Sequence, residues 1–292
     1  LVDEKRRAAH RTLGAIPPNQ QDILRRGGGD RVSRKTADKH SNLNNAPLKP
    51  PRAVSTGTEN MAVGTSIFDP VLCECAYTWF CPPGGKVLDP FAGGSVRGIV
   101  ADYLGREYVG IELRPEQVES NVQQAEDIGV APRWIVGDAA NISELVEPGF
   151  DFLFSCPPYY DLEVYSDLPG ELSAMPTYSE FLASYRKIIA DSLGMLKDDR
   201  FACFVVGDVR DKHGAYRNFV SDTIAAFFDA GAALYNEAIL VTALGSLPIR
   251  AGRQFEAGRK LGKTHQNVLV FIKGDWRRAT EACGPIDVLS EQ

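Results

Sequence analysis

From about residue 61 onward, short apolar runs alternate with longer stretches in which apolar residues recur every three to four positions. The short runs predict strands at Lys86–Asp89, Tyr108–Glu112, Arg133–Val136, Phe150–Ser155, Phe201–Val206, Leu234–Val241 and Val268–Ile272. The longer stretches predict helices over Pro70–Phe80, after Ser95 to about Leu104, Pro115–Ile128, Tyr178–Leu196 and Phe219–Asp229. The clearest is Tyr178–Leu196, with apolar residues at 181, 182, 185, 188, 189, 193 and 196. Strands alternating with helices imply a single three-layer Rossmann-like α/β domain. Its seven-stranded sheet is expected to be mostly parallel, with an antiparallel last strand.

The ends break this pattern. Residues 1–60 mix Arg, Lys, Asn and Pro with the run Gly27-Gly28-Gly29 and hold few large apolar side chains. They read as a flexible arm with a short helix near Asp3–Leu13. The expected organisation is therefore an arm at 1–60, a domain at 61–275 and a tail at 276–292. The chain opens on Leu rather than Met, as a processed or trimmed product would.

Charge sharpens the contrast. The formal net charge of the 292 residues is −6, but residues 1–60 hold 12 Lys/Arg against 6 Asp/Glu, whereas the rest hold 20 against 32. A basic arm on an acidic body can meet phosphate locally despite the total, and a solvated tail explains the arm equally well. No apolar run approaches the roughly 20 residues that cross a bilayer. The six cysteines lack zinc-site spacing and do not form the pattern of a short secreted framework, so no metal and a reducing, cytoplasmic setting are expected.

Three acids stand at successive strand ends. Asp89 closes the first strand and opens Asp89-Pro90-Phe91-Ala92-Gly93-Gly94-Ser95; Glu112, followed by Leu113, ends the second; Asp138, followed by Ala139, comes after the third. Ligands of open parallel sheets bind outside the carboxyl ends of the strands, so these residues converge on one crevice. Neither a full G-x-G-x-x-G nor a phosphate-loop lysine motif is present, which argues against NAD and ATP.

The sequence D-P-F-A-G-G-S, followed by G-I-E-L and G-D-A, closely resembles the cofactor motifs of the DNA methyltransferases that modify base amino groups, N4 of cytosine or N6 of adenine. The family pattern is usually D-P-F-x-G-S-G, so Gly94 and Ser95 stand in swapped order. The resemblance implies S-adenosylmethionine (AdoMet) as cofactor, with Asp89 and the Phe91–Gly94 turn at its methionine part. It further implies Glu112 at the ribose hydroxyls and Asp138 at the adenine amino group. Thr65–Pro70, with Phe68 inside it, resembles the segment covering the methionine carboxylate.

The fourth strand runs into Ser155-Cys156-Pro157-Pro158-Tyr159, which resembles the family's catalytic tetrapeptide, [D/N/S]-P-P-[Y/F/W]. A double proline stiffens the turn and fixes its carbonyls. An aromatic beside it can stack on a base flipped out of a duplex. In the family the first position and the next carbonyl accept hydrogen bonds from the target amino group, and catalysis is mainly positioning. Here that first position is Cys156, and a thiol is a poor acceptor. Three readings stand open: a substitute for Ser, a nucleophile that adds to C6 of cytosine for C5 methylation, or a packed small residue. Asp208, at the end of the fifth strand, either faces the same crevice or is a solvated loop acid.

Between the last two strands, residues 245–265 hold five cations and one acid, Glu256. Arg250, Arg253, Arg259, Lys260, Lys263 and His265 are the candidate nucleic-acid contacts, with DNA as partner. Thr264–Phe271 resembles the closing strand of DNA methyltransferases carrying a Ser-Pro-Pro-Tyr motif. Resemblance covers about residues 61–275, without a large separate recognition domain, and is nearest to methylases carried by phages and mobile elements. RNA methylation and a non-catalytic nucleic-acid-binding protein of the same fold are the competing functions.

Overall fold

The computed structural model describes residues 68–242 and 247–286. The expected arm at 1–60, the helix near Asp3–Leu13, Thr65–Ile67, and Gly245 and Ser246 of the basic segment lie outside the described residues.

Seven strands form one sheet: β1 Lys86–Asp89, β2 Glu107–Glu112, β3 Arg133–Val136, β4 Phe150–Ser155, β5 Leu196–Val206, β6 Ala233–Val241 and β7 His265–Lys273. Their order is β3-β2-β1-β4-β5-β7-β6. Pairing is parallel throughout except at β7, which runs antiparallel to both β5 and β6. The expected fold class is thus the observed one, with β7 as the reversed strand. The chain steps outward from β1 to β3 and then crosses back to β4, so the order reverses between β1 and β4. Such a switch point leaves a crevice at the carboxyl ends of the strands, where ligands of this architecture bind. Asp89 and Ser155, the last residues of β1 and β4, flank it. The reversal of β7 brings its first residues, His265 and Gln266, to the same edge.

The helices are α1 Pro70–Phe80, α2 Val96–Tyr103, α3 Pro115–Ile128, α4 Ile142–Leu145, α5 Tyr178–Met195, α6 Phe219–Asp229, α7 Leu247–Gly258 and α8 Trp276–Cys283. Sequence chemistry sets their starts. The Asp69 carboxylate accepts the N–H groups of Val71 and Leu72 ahead of Pro70. Thr177 and Glu180 form a reciprocal capping box on α5. Helix α5 buries Phe181, Tyr185, Ile188, Ile189 and Leu193 on one stripe, at the spacing read from the sequence. Each such side chain contributes about 1.5–3 kcal/mol of transfer free energy, so this stripe holds the helix on the sheet.

Several elements differ from expectation. Strand β5 begins at Leu196 rather than Phe201: Leu196 pairs with Phe150 and Arg200 with Lys273, and the charged residues between them carry no apolar alternation. Helices α4, α7 and α8 were not expected from the sequence. Helix α8 lies in the stretch expected as a tail: Asp275 caps it, and Ala279 and Cys283, four apart, are its buried residues. The Asp199 carboxylate ties it to β5 by accepting the Asp275 N–H at 2.7 Å and pairing with Arg278 at 3.2 Å.

Candidate active site at the sheet switch point

The Asp89–Ser95 turn is built around Asp89, which is 0% exposed. Its Oδ2 accepts from Arg97 Nε at 2.6 Å and Tyr108 Oη at 2.8 Å. Its Oδ1 accepts from Ser155 Oγ at 2.5 Å and the Phe91 N–H at 3.2 Å. Four donors on one carboxylate account for the buried charge. Arg97 also donates to the carbonyls of Phe91 and Ala92, at 2.7 and 2.9 Å, and its guanidinium lies 4.6 Å from the Phe68 ring centre. Burial alone would lower the guanidinium pKa; the Asp89 carboxylate more than offsets this, and Arg97 stays charged. Asp89 therefore acts by fixing the Phe91–Gly94 turn from beneath.

The turn is also held from its other side. The Gly93 carbonyl accepts from Asn121 Nδ2 at 2.7 Å, and Ser95 Oγ donates to Gln124 at 2.6 Å. Phe91 packs on Tyr185 and Phe204, while Ala92 is wholly buried with its N–H on the Ile111 carbonyl. Gly93 adopts φ +51°, and a Cβ added at either Gly93 or Gly94 would meet nothing within 4 Å, so this face of the turn borders open space. Glu112, 8% exposed, takes the Gly93 N–H on Oε2 at 2.9 Å and Arg114 on Oε1 at 3.0 Å. Leu113 is half-buried beside it. Asp138 Oδ1 accepts the Ala140 N–H at 2.8 Å, and Ala139 is buried.

Residues 160–177 roof this half, a role no sequence signal had suggested. Gly170, at φ +91°, approaches so closely that an added Cβ would lie 2.5 Å from Asp138 Oδ2. The Tyr165 ring lies 5.9 Å from the Arg114 guanidinium. The segment is anchored at its start by Arg217, which sits over the rings of Tyr160 (4.8 Å) and Tyr178 (5.2 Å) and pairs with Asp161 at 3.3 Å.

The Cys156-Pro157-Pro158-Tyr159 turn begins one residue after the Asp89–Ser155 hydrogen bond. Cys156 is half-buried, and its Sγ lies 3.8 Å from Tyr159 Oη. Burial pushes the thiol pKa up, an effect only partly offset by the charge of Arg97 and the Tyr159 hydroxyl. A thiolate nucleophile would need the opposite shift. Pro157 is buried and Pro158 half-buried. Tyr159 Oη accepts from Gln266 Nε2 at 2.5 Å and reaches the Val205 carbonyl at 3.4 Å, and its ring packs on Phe219 at 5.7 Å. Tyr160 follows at φ +54°, which turns the chain into the roof.

On the β5–β7 side, the Asp208 carboxylate accepts the Val220 N–H at 3.2 Å, in the first turn of α6. Lys263 lies beside it: a Cβ on Gly207 would stand 3.9 Å from its Nζ, 3.5 Å from the Tyr159 ring and 3.9 Å from Gln266. Partial burial lowers the Lys263 pKa and Asp208 partly restores it. The remaining basic candidates, Arg250 and Arg253 on α7, then Arg259, Lys260 and His265, are all exposed. The fold thus gathers Asp89, Phe91–Ser95, Glu112, Asp138, Ser155–Tyr159, Asp208 and Lys263 along one edge of the sheet.

Arg97, Tyr108, Asn121, Arg114 and Gln266 complete the arrangement without having been picked out in the sequence. Arg97 did leave a trace, as a lone charge inside the otherwise small and apolar Val96–Ala101 run. Gln266 left none, since it meets Tyr159 across 107 residues.

Residues 78–124, from the end of α1 through most of α3, match a family described as DNA methylase, of the N6/N4 class. The type II methyltransferase M.Cfr9I of Citrobacter freundii is 50% identical over 50 residues, 16% of this chain and 17% of that protein. M.SmaI of Serratia marcescens is 62% identical over 34 residues, 12% of each chain. Either match therefore spans less than one fifth of the relative's length. Among solved structures, a methyltransferase from Pyrococcus furiosus overlays on 74% of this chain and 88% of its own, at 16% identity and a TM-score of 0.49. TrmN from Thermus thermophilus overlays on 70% of this chain and 48% of its own, at 16% identity and a TM-score of 0.48.

Proposed function

We propose, starting from the DNA methylase segment at residues 78–124, that the protein transfers a methyl group from AdoMet to the exocyclic amino group of a flipped-out base in DNA. The observation that carries this reading is the Asp89–Ser155 hydrogen bond, which joins the turn of that segment to the Cys156-Pro157-Pro158-Tyr159 turn. Two turns joined at one carboxylate can hold donor and acceptor groups in a fixed relation, which is the main requirement of a reaction driven by positioning.

The residues fit AdoMet. The open face of Gly93–Gly94 leaves room for backbone approach, and Glu112 and Asp138 offer carboxylate oxygens to hydroxyl and amino groups. Bound there, AdoMet supplies an electrophilic methyl group on sulfonium. Phe68, stacked on Arg97, closes the methionine end, and Asp89 serves that end through the turn it fixes.

The Pro157 carbonyl and Cys156 accept the target amino group and aim its nitrogen lone pair at the methyl group. Pro158 keeps that carbonyl in place, and Tyr159, fixed by Gln266, borders the base. Asp208 accepts the Val220 N–H at the start of α6 and sets a negative charge near Lys263. The raised thiol pKa favours amino-group methylation over a covalent C5 mechanism, since the thiol form predominates near neutral pH. Lys263, His265 and the exposed cations Arg250, Arg253, Arg259 and Lys260 face the DNA.

Incubation with methyl-labelled AdoMet and matched DNA and RNA duplexes tests the substrate. Label in DNA alone is expected; label in RNA alone, or cofactor binding with no transfer to either, would overturn the proposal.

A further inference from the structure

Helix α7 buries no residue. Ile249 is 83% exposed, and Leu261, just beyond the helix, 71%. A helix of 12 residues is marginal in isolation, and most helices in folded proteins are held by an apolar face on a core. Among the described residues, Arg250 and Arg253 make no ion pair, and Arg259 rests only on the Phe255 ring at 5.0 Å. Residues 247–263 carry five cations against the single acid Glu256, on a body that is acidic from residue 61 onward. The surface is therefore built for a polyanion rather than for its own core.

Its position fits the same partner. The chain returning from α7 runs along the catalytic mouth: the Lys260 side chain lies 2.8 Å from where a Gly214 Cβ would be, and Lys263 Nζ lies 3.9 Å from the corresponding point on Gly207. Gly207 also borders Tyr159. At 100° per residue, Arg250, Arg253 and Gln254 share one face, while Ile249, Gly252 and Glu256 share another. Two arginines and a glutamine suit guanine O6/N7 and adenine N6/N7 edges. The helix is about 18 Å long at 1.5 Å per residue. A B-form major groove about 12 Å wide admits such a helix.

We infer that α7 is the recognition element, docking in the major groove of duplex DNA with its Arg250–Arg253–Gln254 face on the base edges. This rests on the proposed DNA substrate and adds what selects the methylated site. Recognition then depends on a short helix, and the readable sequence is correspondingly short.

The test compares the full chain with its Arg250→Ala/Arg253→Ala and Gln254→Ala variants. The readouts are binding to duplex and single-stranded DNA across a salt series, and the map of methylated positions on mixed-sequence duplex. For the double variant, duplex affinity is expected to fall at least about tenfold, and the slope of log affinity against log salt to drop by about one to two charges. Single strands, which offer no groove, should lose less. Gln254→Ala should redistribute methylated sites. An unchanged salt slope and site map, or equal losses on duplex and single strand, would overturn the inference. If the unaltered chain binds duplex but methylates none of it, the proposed activity fails while the binding comparison still decides the role of α7.

Discussion

The two halves of the candidate site are built in opposite ways. On the β1–β3 side the polar groups are buried and paired: Asp89 accepts four donors, Arg97 serves two carbonyls, and Glu112 and Asn121 pin the glycine turn. On the β5–β7 side the charged groups are half-buried or exposed and largely unpaired, from Lys263 to Arg250 and Arg253. Internal pairing fixes the shape of the first half, with the spare lone pairs of Glu112 left for a ligand, whereas unpaired cations are available to a polyanion. The first half is suited to a small molecule of constant shape, the second to a long, variable one. The Ser155–Tyr159 turn lies between them, held by Asp89 on one side and by Gln266 on the other.

The largest effect should come from breaking the buried half. Arg97→Met leaves the Asp89 charge uncompensated, and removing one partner of such a pair costs about 3–5 kcal/mol. Urea unfolding should show that loss; a midpoint like that of the unaltered chain would mean the pair does not hold the turn. Next is Tyr159→Ala, expected to reduce turnover about 100-fold through lost positioning while AdoMet affinity stays within twofold. A matching loss of cofactor affinity, read by calorimetry, would erase the distinction between the halves.

Asp138→Ala should do the reverse. Losing one hydrogen bond to a charged group, worth about 1.5–3 kcal/mol, weakens AdoMet binding roughly tenfold or more. Unchanged affinity would remove Asp138 from the site. The smallest change is expected at Cys156. Its raised pKa keeps it a thiol as pH rises through the range where an exposed cysteine ionises, so alkylation should lag that of a free thiol at pH 8 to 9. Cys156→Ser, which restores a better acceptor, should retain or raise methyl transfer. Abolished transfer would instead identify a nucleophile.

The strand and helix order was legible because most apolar runs are buried on the sheet, which leaves one reading of their period; β6, largely exposed, is the exception. Strands β1, β3 and β4 and helices α1, α3 and α6 lie where the pattern placed them. What escaped lacked that signal. Residues Lys197–Arg200 extend β5 with charged side chains, α8 buries two residues only, and α7 buries none, so no periodicity marked it. The strand-end acids and the Cys-Pro-Pro-Tyr turn were visible as local motifs. Their connections were not: Asp89 meets Ser155 across 66 residues and Tyr159 meets Gln266 across 107, distances over which one sequence carries no trace of contact. The roof at 160–177 was hidden for a related reason, since its fit depends on Gly170 lying against Asp138.

Mass spectrometry of nucleosides from duplex DNA incubated with the protein and AdoMet tests the central claim most directly. The account predicts N4-methylcytosine or N6-methyladenine, the products of an amino group held at the Cys156–Pro157 turn. 5-Methylcytosine would contradict it and make the Cys156 thiol the attacking group.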